Sequence, residues 1–213
     1  MHNQDLHTVV VAAGKGGVGK STIAVHLAVL ANSSGTTAAL IDTDPQRSAA
    51  AWRQRRSVDN ELRFATAAVS ELAGIQARAR ADGVRFLIVD SAPRTDMAAL
   101  ARRADFVLIP CRPSILDLDA VGETVKTVAA TKTPAAVVFN ACPPGRGTRE
   151  AGIVTEAREA LAKSPVPVAP MSIGQRASFA HALITGQAVS EFEPSGKATK
   201  ELRNLWTWIG EQL

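Results

Sequence analysis

Short apolar runs alternate along the whole chain with longer stretches in which apolar residues recur every three or four positions. Thr8-Val9-Val10-Val11-Ala12-Ala13 reads as a buried strand, and Ser21 to Ala28 follows with helical spacing. Ser33-Ser34-Gly35 closes that helix, and Thr36 to Ile41 is a second strand. A helix opening at Gln46, a weak strand over 63–67 and a surface helix over 71–81 come next. Further strands are expected over 85–90, 105–110 and 135–140, with a long helix ending near Lys132 between the last two. Pro143 to Thr148 is a loop by composition, and the prolines of Val166-Pro167-Val168-Ala169 place that short strand at a sheet edge. Near the end, Leu202, Leu205, Trp206, Ile209 and Leu213 share one helical face. The alternation predicts an α/β fold, a doubly wound, mainly parallel sheet with helices on both faces. No linker interrupts the 213 residues, so one domain spanning 1–213 is expected.

The candidate chemistry starts between the first strand and the first helix. Gly14-Lys15-Gly16-Gly17-Val18-Gly19-Lys20-Ser21 fits the phosphate-loop pattern G-x-x-x-x-G-K-[ST] at every fixed position. Glycines suit such a loop because backbone N–H groups must turn inward onto phosphate oxygens, where a Cβ has no room. The helix N-terminus behind them favours negative charge. Gly16, Gly17, Val18 and Gly19, with Lys20, Ser21 and Thr22, are therefore the expected nucleotide-phosphate cradle. By the general chemistry of this loop Lys20 reaches the β- and γ-phosphates and the Ser21 hydroxyl ligates magnesium. Lys15 exceeds what the pattern requires, and from the residues alone it could be a solvated loop lysine.

Carboxylates stand at the ends of two other strands. Asp42-Thr43-Asp44-Pro45-Gln46 follows the second strand, placed either to work on metal and water or to start a turn before Pro45. Phe86-Leu87-Ile88-Val89-Asp90 delivers one acid at the tip of a buried strand, where general phosphate-loop chemistry uses it to hold magnesium. Asp117 is first a helix N-terminal acid and second a site residue. Cys111 and Cys142 lack metal-ligand spacing and read as small buried residues.

Net charge is +4, which permits a polyanionic partner without demonstrating one. The excess lies in residues 47–103, with 11 Arg and Lys against 6 Asp and Glu, much of it Arg47, Arg53, Arg55 and Arg56. A charge run of this kind is ordinarily a solvated face. The chain has no apolar run long enough to span a bilayer and no leader pattern at Met1, so a cytoplasmic protein is expected.

Lys15-Gly16-Gly17-Val18-Gly19-Lys20-Ser21-Thr22 resembles the deviant Walker A motif of the ParA/MinD family of ATPases. Asp42-Thr43-Asp44-Pro45-Gln46 and Asp90-Ser91-Ala92-Pro93 resemble that family's second and third motifs. Cys111-Arg112-Pro113-Ser114-Ile115-Leu116-Asp117, Ile173 to Ala180, Gly186 to Val189 and Glu193 to Ala198 are similar to the small, single-domain plasmid-partition branch. The resemblance implies a magnesium-dependent ATPase that forms an ATP sandwich dimer, with Lys15 reaching the partner's phosphates. It further implies that Asp44 positions the attacking water, that Asp42 supports magnesium through a water, and that Asn140 contacts adenine. Nonspecific DNA contacts carry over to Arg176 and Lys197, and a small DNA-binding partner would stimulate hydrolysis while the protein segregates plasmid or other DNA cargo on the nucleoid.

Two other classes share these motifs. A MinD-like membrane switch needs a free amphipathic C-terminal helix, and the final ten residues contain no Lys or Arg, so a helix docked in the core and no membrane partner are expected. Iron–sulfur relatives need cysteine pairs bridging a dimer, for which only Cys111 and Cys142 are available.

Overall fold

A computed structural model describes residues 5–33, 35–57, 62–146 and 149–213. Ser34 of the first helix's stop signal, and Gly147 and Thr148 of the expected loop, lie outside the described residues. Seven strands form one sheet: β1 His7–Val11, β2 Ala38–Asp42, β3 Arg63–Thr66, β4 Phe86–Asp90, β5 Phe106–Cys111, β6 Ala135–Cys142 and β7 Val168–Gly174. Their spatial order is β3-β2-β4-β1-β5-β6-β7 and every pairing is parallel, as burial on both faces requires of such apolar strands. The helices are α1 Lys20–Ser33, α2 Ser48–Arg55, α3 Leu72–Ala81, α4 Met97–Ala101, α5 Ile115–Ala130, α6 Gly152–Ala160, α7 Ala177–Ile184, α8 Val189–Phe192 and α9 Lys197–Gly210.

Strand periodicity sorts the core into two layers. Val9 and Val11 of β1 face α1, α8 and α9, whereas Val10 faces the layer built with α3, α4 and α5. Leu202, Leu205 and Ile209 of α9 are fully buried in the first layer, and Trp206 meets Phe86 edge-on at 4.9 Å. The apolar face of the last helix is thus spent on the sheet.

Several elements depart from the sequence pattern. The second helix opens at Ser48 rather than Gln46, because Arg47 takes a left-handed turn (φ 53°) with its N–H on the Asp44 carbonyl at 2.8 Å. The proline-bearing edge strand runs from Val168 to Gly174, two residues later than expected and longer. Pro167 still offers its carbonyl to Val137 N–H, and at the edge Pro170 interrupts no central ladder. α4, α7 and α8 have no counterpart in the sequence pattern; α4 is a short helix capped by Asp96, which accepts the Ala99 N–H at 2.9 Å.

His26 sits wholly buried in α1, accepting the Val189 N–H on Nδ1 at 3.1 Å against the ring of Phe179. Burial pushes its pKa down from 6.5 to about 3. Between those values the unfolded chain carries the extra proton, so this residue's contribution to stability is full above 6.5 and falls as pH drops towards 3. Comparison with His26→Gln cancels the groups common to both proteins, including Asp90. Urea unfolding should show wild type losing about 2 kcal/mol relative to that variant between about pH 6.5 and pH 5. Parallel pH profiles would contradict the buried neutral imidazole.

Candidate nucleotide site

β1 lies where the connections reverse direction, with β4 on one side and β5 on the other. Open parallel sheets bind ligands at the carboxyl ends of strands flanking such a point. The glycine-rich loop occupies this position. Gly17 and Gly19 take positive φ of 77° and 96°, and a Cβ on Gly19 would lie 2.1 Å from the Asn140 amide. Asn140 holds the loop from behind, donating Nδ2 to the Val18 carbonyl at 2.8 Å. Thr124 of α5 anchors the start of the loop, accepting the Gly14 N–H at 3.2 Å.

A cavity of about 490 Å³ opens over the loop, lined by Gly16, Gly17, Gly19, Lys20, Ser21 and Thr22. Asp44, Arg55, Pro93 and Arg112 line it as well. The ammonium of Lys20 folds back to the Lys15 carbonyl at 3.3 Å and is largely buried. Burial lowers its pKa, opposed by Asp90 and Asp44, which places both carboxylates within electrostatic reach of the phosphate lysine.

The acids divide their work. Asp42 and Asp90 stand side by side at paired strand ends. Both Asp42 oxygens accept backbone N–H groups, from Asp44 and from Ala50, each at 3.0 Å. Asp42 therefore shapes the loop that presents Asp44. Thr43 stitches the same loop to β4, giving its N–H and hydroxyl to the Asp90 carbonyl at 2.9 and 2.8 Å. Asp44 keeps one carboxylate oxygen, Oδ1, on the Gln46 N–H and points into the cavity.

Asp90 is different. It is 0% exposed, and among the described residues neither carboxylate oxygen meets strict hydrogen-bond geometry, nor does the buried Ser91 hydroxyl beside it. Burial pushes its pKa up to about 7, helped by Asp42 and Asp44, while Ser21 and Lys20 pull the other way. A buried carboxylate beside the Ser21 hydroxyl, with Asp42 at the paired strand end, is an oxygen setting that a hard divalent cation and its waters satisfy. Asp90 and Ser21 would hold magnesium, which supplies charge neutralisation at the phosphates.

Lys15 does not line this cavity. Its ammonium contacts Asp117 at 2.7 Å, on the far side of the loop, where it borders a groove formed with Arg94, Asp96, Glu123 and Thr127. Burial would raise the Asp117 pKa, but hydrogen bonds from Lys15 and Ser114 and the nearby charge of Arg112 together hold it below the usual carboxylate range. Asp117 thus holds a loop lysine, which its place at a helix start concealed. Thr124, Arg55 and Arg112 were missed for a similar reason: no spacing in the sequence links them to the loop. Cys111 and Cys142 are buried thiols pushed up to about 12 and about 11 by burial, which fits packing rather than ligation.

Fold and site together define a phosphate-loop nucleotide hydrolase. Residues 9–189 match the model of the CobQ/CobB/MinD/ParA nucleotide binding domain. The chain is 32% identical over 209 residues to the maintenance of carboxysome distribution protein A of Gloeobacter kilaueensis, covering 96% of this chain and 93% of that relative. A Cyanothece McdA–ATP complex superposes with a TM-score of 0.72 at 20% identity, covering 96% of each chain. The Mg-ADP complex of the septum site-determining protein MinD from Pyrococcus horikoshii gives 0.73 at 16% identity, again over 96% of each. This chain belongs to the ParA/MinD family of ATPases.

Proposed function

We propose that ATP closes two copies of this chain into a sandwich dimer that binds DNA without regard to sequence, and that hydrolysis opens the dimer and releases it. A cargo tethered to such a cycle is segregated or positioned over the nucleoid, with a small DNA-binding partner stimulating an otherwise weak turnover. The observation that carries this reading is Lys15, a second loop lysine whose charge stands outside its own phosphate cavity. A cation so placed serves a neighbour's phosphates better than its own, as an arginine finger does in trans. Within one chain Lys20, Ser21 and Thr22 take the phosphates, Asn140 Oδ1 the base, Asp90 and Ser21 the metal, and Asp42 supports the metal's water shell. Asp44 orients water.

For DNA we favour Arg176 with Lys197. The guanidinium of Arg176 is aimed by Glu201 and stays partly exposed beside the first turn of α9, which Lys197 opens. The alternative surface is the arginine cluster of the basic segment, Arg53, Arg55 and Arg56 beside Arg47. Arg56 is buried on Glu191 and Gly186, and Arg55 lines the phosphate cavity, which leaves Arg47 and Arg53. DNA retardation with ATP at several salt concentrations tests this. Arg176→Ala with Lys197→Ala should weaken binding and flatten the salt slope by about 0.9 per lost contact, whereas Arg53→Ala leaves both near wild type. The opposite pattern would move the surface to α2.

A protein cluster as cargo is the second reading, favoured by the relative named for carboxysome distribution. The membrane reading loses its helix, since the apolar face of α9 is packed in the core. No helix among the described residues is long and apolar enough to cross a membrane.

A further inference from the structure

Arg112 is the first residue past β5, and its backbone is fixed from both sides. Its carbonyl accepts the Ser114 N–H at 2.8 Å and the Cys111 thiol at 3.3 Å. Pro113, buried directly after it, holds the preceding backbone extended. The side chain is placed differently. It is exposed, lines the phosphate cavity, and makes no ion pair among the described residues. Arg56, Arg158 and Arg176 each make an ion pair with a glutamate. Asp117, whose charge Arg112 does feel, is already taken by Lys15 and Ser114.

The cavity has use for this charge. A nucleoside triphosphate brings roughly four negative charges, while magnesium and Lys20 together supply about three, and Asp44 and Asp90 add negative charge of their own. A diphosphate brings about one fewer, so the shortage falls on the terminal phosphate. Lys15 does not relieve it within the same chain, because Asp117 holds it on the other side of the loop. A guanidinium on a rigid backbone matches two phosphate oxygens with its planar fork, which an ammonium does not.

We propose that Arg112 binds the terminal phosphate of the nucleotide held by Lys20 of the same chain, and so distinguishes a triphosphate from a diphosphate. The inference rests on the nucleotide-site reading and adds to it a selectivity residue outside the loop and acid motifs. Arg55 reaches the same cavity from the end of α2 and serves as the control, since its removal takes away equal charge.

Isothermal titration with Mg-ATPγS and Mg-ADP tests the assignment in wild type, Arg112→Ala, Arg112→Lys and Arg55→Ala. Arg112→Ala should weaken ATPγS about 10- to 100-fold and ADP by less than about threefold, with Arg112→Lys between it and wild type. No change with either nucleotide, equal weakening of both, or the same selective loss in Arg55→Ala would overturn the proposal. A wild type that binds neither nucleotide would instead overturn the nucleotide-site reading itself. Should Arg112→Ala fail to fold, Arg112→Lys decides, because it keeps the charge and loses only the fork; unchanged selectivity in that variant counts against the contact.

Discussion

Asp44→Ala should bind ATP and turn it over far more slowly than wild type. The residue sits on a loop held rigid by Asp42, which accepts N–H groups at both ends of the turn, and by Thr43, which is tied to β4. Its carboxylate is therefore presented to the cavity that Lys20 and Ser21 also line. A group that orients or deprotonates water contributes about 10²- to 10⁴-fold to rate, so kcat should fall by that factor. ATP affinity should change by less than about threefold, since no ground-state phosphate contact is lost. Phosphate release under saturating ATP and direct binding separate the two. Turnover within a few-fold of wild type would remove Asp44 from the chemistry.

The second large effect concerns Lys15. Lys15→Ala should bind nucleotide as a monomer and fail to dimerise with ATP. Each charge-assisted contact to phosphate is worth about 1.5–3 kcal/mol, and two-fold symmetry loses two of them. The dimer dissociation constant should accordingly rise by about 10² or more. The same substitution strands Asp117, whose side chain is 9% exposed, without its cation, so it should also lower stability. Lys15→Ala with Asp117→Asn separates the two roles: removing both charges restores stability towards wild type while the dimer stays lost. If the double variant dimerises with ATP, the cross-dimer role of Lys15 is wrong. Asp117→Asn alone frees Lys15 from its tether, and in this account it dimerises at least as readily as wild type.

How much of this was legible in the sequence follows from distance along the chain. The phosphate loop is a local motif: its glycines, lysine and hydroxyl lie within one turn between a strand and a helix, so spacing alone defines it. Asp42 and Asp90 were legible for a similar reason, each closing an apolar strand. What spacing does not contain is the strand order. Only the placement of β1 between β4 and β5 brings Asp90 beneath Ser21 and sets Asp117, Thr124 and Arg112 against the loop. Arg56 shows the converse. By composition it belonged to a basic surface, yet the fold folds it inward onto Glu191, far along the chain, with Trp52 beneath its guanidinium. Boundaries failed where proline was read too simply: Pro45 starts a turn before it starts a helix, and Pro170 is accommodated because β7 is an edge strand.

The central claim is that nucleotide forms part of a dimer interface, and sedimentation of the Asp44→Ala variant tests it most directly, because ATP is not consumed during the run. With Mg-ATP the account predicts a species of twice the 22.4 kDa monomer, and with Mg-ADP the monomer. The same sedimentation with both nucleotides, whether monomer or dimer, would contradict it.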